Sequence, residues 1–165
     1  IVGFGANSEG YDLVTPEPEG RHAAACMRQA LADARMPASA IDYVNAHGTG
    51  TVTGDAAEVH ALREVFGDAI PPVSSTKSMT GHAVGAAGAI EAIFCIGMLE
   101  RGFVAPSVNV SRLDPAFGDL PVVREAVIRP LDTVLTNSFG FGGTNGCLIL
   151  RRFDRSAKLE PVRRR

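Results

Sequence analysis

Asn45-Ala46-His47-Gly48-Thr49-Gly50-Thr51 follows the apolar run Ile41 to Val44 and leads directly into a segment with helical patterning. A short buried strand that opens through a glycine-rich loop onto a helix is the repeating unit of α/β architecture, and such folds place their chemistry at those strand ends. The arrangement recurs thirty residues on. Pro72 to Ser74 leads into Ser75-Thr76-Lys77-Ser78-Met79-Thr80-Gly81-His82, again ahead of a helical pattern. Two histidines, His47 and His82, therefore stand in unlike but equally glycine-rich settings and read as half of an active site.

Outward from these loops the chain alternates. A strand near Ile1 to Gly5 is expected first, then a Gly/Pro/Glu loop to Gly20 and a helix from about Arg21 to Arg35 with an Ala-rich face. Strand Ile41 to Ala46 precedes a helix from about Gly54 to Phe66, where Val59, Leu62, Val65 and Phe66 form one stripe; Gly67 and Pro71-Pro72 break it. Strand Val73 to Ser75 precedes a long small-residue helix ending near Arg101-Gly102. After a loop beyond Pro106, the runs Val134 to Asn137 and Cys147 to Leu150 flank Ser138-Phe139-Gly140-Phe141-Gly142-Gly143-Thr144-Asn145 and read as an antiparallel hairpin closing the sheet. The expectation is α/β with a mixed five-stranded sheet.

The 165 residues fit one domain, 1–165, and 45% apolar with 21% charged residues is ordinary globular composition. A net charge of −2 gives no electrostatic case for nucleic acid or an anionic membrane as partner. The stretch Arg151 to Arg165 holds seven Lys/Arg against two acids, and residues 154–165 read as a flexible basic tail. Cys26, Cys95 and Cys147 are odd in number, far apart and set among apolar neighbours, which fits buried free thiols in a reducing compartment such as the cytoplasm. The opening Ile1-Val2-Gly3-Phe4-Gly5, already strand-like, reads as the interior of a longer polypeptide. His22 and His60 lie on helical faces that read as solvated.

Ala83 to Leu99 is mostly apolar, yet it is short for a membrane span, is dominated by Ala and Gly, and carries Glu91 at its middle. It reads as a buried central helix. Gly85-Ala86-Ala87-Gly88-Ala89 gives that helix a start with almost no side-chain bulk, and Glu91 must find a polar network or a bound cation.

Three strings then carry a resemblance: 45–51 above, Ser-Ser-Thr-Lys-Ser-Met-Thr-Gly-His at 74–82, and Asn-Ser-Phe-Gly-Phe-Gly-Gly-Thr-Asn at 137–145. In order and spacing the chain resembles the β-ketoacyl-[acyl carrier protein] synthases, and Leu113-Asp114-Pro115-Ala116-Phe117 with Leu120-Pro121 looks closest to the synthase I branch. The resemblance implies the thiolase-like fold, an αβαβα sandwich of two similar halves, with this chain as the C-terminal half. It implies that His47 and His82 serve decarboxylation and condensation, with His82 near the nucleophile. Lys77 would act electrostatically, paired with Glu58. Thr49 and Thr51 would bind the phosphopantetheine arm of acyl carrier protein. The Phe141 amide would be an oxyanion donor, while Phe139, Phe141 and Gly142 gate the acyl pocket. Asn45 and Glu91 match positions that hold a monovalent cation in some members; no other cofactor is implied.

One departure stands beside the match. The family's nucleophilic cysteine lies in the N-terminal half, and none of the three cysteines here sits in such a motif. The resemblance thus implies a partner in the missing half, and a homodimer or a heterodimer with a homologous subunit. An alternative reading is a non-catalytic subunit of the chain-length-factor kind, although intact His47, His82 and Lys77 argue against it. A third, an independent binding module, predicts a soluble monomer, whereas half of a thiolase fold would expose the apolar face of Ala83 to Leu99.

Overall fold

The computed structural model describes residues 1–153 of the chain; the basic tail expected over residues 154–165 lies outside them. Five strands form one sheet: β1 (Gly3–Ser8), β2 (Tyr43–Asn45), β3 (Val73–Ser74), β6 (Thr133–Gly140) and β7 (Thr144–Arg151). They lie in the order β1-β7-β6-β2-β3. β1 with β7 and β7 with β6 are antiparallel, while β6 with β2 and β2 with β3 are parallel. The mixed sheet is as expected, but the β6–β7 hairpin does not close it. The hairpin fills the centre and β1 takes the edge, because β6 pairs on its other side with β2, ninety residues earlier in the chain.

Along each strand the side chains alternate between two cores. Val44, Leu135, Cys147 and Ile149 meet α1 (Arg21–Ala34) and α2 (Val52–Phe66) on one face. Tyr43, Val134 and Leu150 meet α4 (Ala87–Arg101) on the other. Strands buried on both faces need continuous apolar runs, which is why these segments show little alternation in sequence. A two-residue ladder between β4 (Phe103–Val104) and β5 (Val127–Ile128) stands apart from the main sheet. It is too short to leave a periodic signature.

Helix ends follow local chemistry. The Thr51 hydroxyl accepts from the Gly54 amide to cap α2, Asp55 stands in its first turn and Arg63 in its last. α1 lies so close to β1 that a Cβ on Gly5 would stand 2.2 Å from the Cys26 carbonyl oxygen. Since that obstacle is backbone, Gly5→Ala must lift the strand from the helix. We expect a loss of about 3 kcal/mol, read as a fall in the urea midpoint at constant m-value.

α4 begins at Ala87 rather than at the expected Gly85, after a tight turn over Val84–Ala86. Its small residues do allow close approach, since a Cβ on Gly88 would stand 2.8 Å from the Ser138 hydroxyl of β6. The helix is buried on its sheet side only. Ile93 (65% exposed) and Ile96 (44%) leave its other side an uncovered apolar face, and Val84 (75%) is exposed in the turn before it. No helix among the described residues is long and apolar enough to cross a membrane.

Candidate active site

The loops after β2, β3 and β6, adjacent strands with parallel or paired registers, emerge at one edge of the sheet. That placement brings His47, Lys77 and Phe139 together from far apart in sequence. The His47 ring meets the His82 ring edge-on, with centroids 5.4 Å apart and planes at 83°, and the Phe139 ring lies 5.7 Å from it on another side. The expected histidine pair is therefore assembled in space.

Glu58 builds the His47 loop. From α2 its carboxylate accepts the His47 and Gly48 amides at 2.9 and 2.8 Å and the Asn137 side-chain amide at 3.0 Å. Burial pushes its carboxyl up, opposed by the Gly48 amide, Asn137 and the His47 amide. With those lone pairs occupied, Glu58 does not pair with Lys77, contrary to expectation. Lys77 Nζ instead donates to Glu91 Oε1 at 2.5 Å, both side chains being at most 5% exposed. The physical reason is the sheet: Glu58 sits on the helix over one face and Glu91 on the helix over the other, and Lys77 turns to the second.

Burial pushes the His47 imidazole down to about 3, helped by the nearby charges of Lys77 and His82. The folded protein thus holds this ring neutral, while the unfolded ring titrates near its ordinary 6.5. Between those values the unfolded chain binds the extra proton, so the contribution of His47 to stability is complete above about pH 6.5 and is lost as pH falls toward 3. NMR of the His47 ring is expected to show no titration between pH 8 and 5.

The remaining site residues fall into place unevenly. The Thr49 and Thr51 hydroxyls lie 3.2 Å apart beside His47, and the Gly50 amide is held by Asp55 at 3.1 Å. Phe141 is 77% exposed at the β6–β7 turn. The Gly142 amide donates to the Leu13 carbonyl at 2.8 Å, and Glu9 donates to Gly143 at 2.9 Å, so the turn is tied to the 9–20 loop. His60, read as free of any role, donates from Nδ1 to the Pro18 carbonyl at 3.0 Å from an exposed position. A cavity of about 450 Å³ runs from His82, Lys77 and Thr49 to an apolar wall of Leu62, Leu113 and Phe117.

Asn45 is buried, donating to the Thr136 hydroxyl at 3.2 Å and accepting from the Tyr43 hydroxyl at 3.4 Å. Among the described residues three buried side-chain oxygens have no hydrogen-bond partner, Glu91 Oε2, Asn137 Oδ1 and Thr76 Oγ1. Unpartnered oxygens of that kind suit a hard cation. Among the described residues no three His, Cys, Asp or Glu side chains cluster as a metal site would need. Asn137 was not singled out from sequence; a polar residue in the apolar run of β6 was the available signal. All three cysteines are buried and free, and desolvation pushes Cys26 up to about 11, Cys95 to about 12 and Cys147 well above the ordinary thiol value. None is poised as a thiolate nucleophile.

With that geometry established, comparison with known families is decisive. The profile of the β-ketoacyl synthase C-terminal domain matches residues 1–111. The chain belongs to the β-ketoacyl synthase family. It is 52% identical over 152 residues to 3-oxoacyl-[acyl-carrier-protein] synthase 1 of Escherichia coli, covering 92% of this chain and 36% of that protein. The corresponding enzyme of Haemophilus influenzae is 53% identical over 155 residues, covering 93% and 37%. Among solved structures, a β-ketoacyl synthase from Burkholderia phymatum superposes with a TM-score of 0.86 at 43% identity, covering 93% of this chain and 37% of that one. A type II PKS acyl-carrier protein in complex with its ketosynthase gives 0.89 at 32% identity, covering 93% and 38%. These neighbours establish the thiolase-like fold. The β-ketoacyl synthase segment spans a little over a third of the length of the curated relatives it matches.

Proposed function

We propose that the polypeptide carrying this chain is a 3-oxoacyl-[acyl carrier protein] synthase of fatty-acid or polyketide synthesis. The observation that carries the reading is the His47–His82 pair, one ring held neutral by burial and the other lining the cavity. A cysteine thiolate outside this chain attacks the acyl thioester, forming a new S–C bond and releasing the carrier thiol. Malonyl-carrier then binds and its C–CO2 bond breaks, leaving an enolate. Two neutral imidazoles donate N–H to the enolate oxygen and stabilise the charge as it develops, without a proton acidic enough to quench the carbanion. The enolate carbon attacks the acyl-cysteine carbonyl, and the thiolate leaves to give the 3-oxoacyl thioester.

Within this scheme Thr49 and Thr51 bind the phosphopantetheine arm, and the Phe141 amide with the nucleophile's own amide receives the oxyanion of the acyl step. Phe139, Phe141 and Gly142 gate the acyl pocket. Lys77, neutralised by Glu91, acts through its field and by holding the α3 (Lys77–Thr80) loop, while Glu58 shapes the His47 loop. A monovalent cation would be held by Glu91, whose Oε2 has no protein partner, together with Asn45, and would neutralise buried oxygen charge there. The half that carries the nucleophile would cover the apolar face of α4. Acyl carrier protein as partner, a homodimer or a heterodimer with a homologous subunit, and a cytoplasmic setting complete the proposal.

The test is incubation of the full-length polypeptide with an acyl thioester or cerulenin and mapping of the labelled residue. Labelling of one cysteine outside residues 1–165, with none on Cys26, Cys95 or Cys147, supports the synthase. A protein that takes no label yet binds a homologous subunit would overturn it in favour of a chain-length-factor role.

A further inference from the structure

β3 is the last strand of the sheet, and a later segment runs along its open edge. The Val73 amide donates to the Pro121 carbonyl at 3.0 Å and the Val123 amide to the Val73 carbonyl at 2.9 Å. Residues 107–120 form an arch that is pinned at both feet. At one, the Ser75 amide donates to the Ser107 hydroxyl and the Val108 amide to the Ser78 hydroxyl, at 2.8 and 2.9 Å. At the other, Arg63 of α2 donates to the Phe117 carbonyl at 2.7 Å, and Asp114 accepts from the Ala116 amide at 2.9 Å. Leu113 and Phe117 of the arch line the cavity together with Val59, Leu62 and Leu120, the last three of which are buried.

What such a space holds follows from the groups around it. Lys77 is answered by Glu91, and the Glu58 carboxylate by two amides and Asn137, so neither buried ion asks for a ligand there. The apolar portion suits a hydrocarbon group. In the scheme above, malonyl is polar at both ends, the carrier arm passes Thr49 and Thr51 with its amides, and the acyl chain begins at a sulfur outside this chain. One position remains. The oxygen that His82 receives and C2 of the malonyl group are bonded to the same carbon, so a substituent on C2 starts beside His82, which lines the cavity.

We propose that the cavity between α2 and the 107–120 arch receives the alkyl group of a 2-alkylmalonyl thioester, and that Leu113 and Phe117 set the length it accepts. The inference rests on the condensing reading above and deepens it. Loss of CO2 leaves the electron pair on C2, which keeps its alkyl group and its hydrogen. The enolate carbon forms the new bond to the acyl carbonyl, the cysteine thiolate leaves, and the product is a 2-alkyl-3-oxoacyl thioester. No further reactant is needed.

The experiment offers the full-length polypeptide one acyl primer and an equimolar mixture of malonyl carrier with its 2-ethyl, 2-propyl or 2-butyl analogue, and reads the product ratio by mass spectrometry. From ethyl to butyl, kcat/KM relative to malonyl is expected to climb about fourfold per methylene, the effect of burying each one. Leu113→Trp fills the cavity and should lower the butyl-to-malonyl product ratio about tenfold, whereas Phe117→Ala should raise the use of 2-hexylmalonyl relative to 2-butylmalonyl. Both products form in one preparation, so a variant that folds poorly still reports the ratio. Condensation of malonyl by the wild type with no 2-alkyl product overturns the inference and leaves the condensing reading standing, the space then being filled by the rest of the polypeptide or by water. A ratio that does not climb from ethyl to butyl, or one that Leu113→Trp leaves unchanged, overturns it as well. If neither thioester is condensed, the condensing reading fails and takes this inference with it.

Discussion

His82→Ala in the full-length polypeptide is expected to lower kcat for malonyl-thioester decarboxylation by about 10²–10³-fold, the usual effect of removing one donor from a developing oxyanion. His47→Ala should lose a similar factor. Because the two rings stand 5.4 Å apart and would serve one oxygen, the double variant should lose far less than the product of the two. KM for the malonyl carrier should change little, since the interaction strengthens only as charge develops. His47→Asn, which retains a side-chain N–H, should keep more activity than His47→Ala. Steady-state and single-turnover decarboxylation assays check each point, and a loss below threefold for His82→Ala would remove the histidine pair from the mechanism.

Lys77→Met is expected to destabilise the fold by about 3–5 kcal/mol, because it leaves the Glu91 carboxylate buried without its cation. Burial already pushes the Glu91 carboxyl up against the opposing pull of Lys77, and without the lysine it rises further. An acid whose folded-state pKa is raised binds more protons folded than unfolded. The variant should therefore be most stable at low pH and lose stability as pH climbs through the unfolded value of about 4.3 toward the raised one. Lys77→Met/Glu91→Leu should recover most of the loss, since a buried pair can be replaced by apolar groups at little net cost. Urea titrations at pH 5 and 8 measure both effects. A single variant within 1 kcal/mol of the wild type would show that the pair is solvated in solution.

Much of this candidate site is legible in the sequence. The His47, Lys77, His82 and Phe139 loops were identified because glycine-rich stretches after apolar runs are local features, and local features survive in sequence. Helix limits also held closely, Arg21–Ala34 against an expected end at Arg35 and Val52–Phe66 against an expected start at Gly54, since caps and breakers act within one turn. What the sequence conceals is non-local. Glu58 and Glu91 lie nineteen and fourteen residues from Lys77, and sequence distance does not reveal which helix covers which face of the sheet.

Alternating apolar runs and glycine-rich loops are enough to specify an α/β chain, to mark its cysteines as unsuited to be nucleophiles, and to single out the blocks that the fold brings to one end of the sheet. It takes the folded chain to put the β6–β7 hairpin at the centre of the sheet, to turn Lys77 to Glu91 while Glu58 cradles the His47 loop, and to bring Val84, strained at a φ of 49°, to the ring of His82. The division has a physical cause. Hydrophobic period, capping and turn preference act over a few residues, whereas the pairing of buried charges and the cost of a left-handed backbone are settled by elements that meet only once the chain has folded.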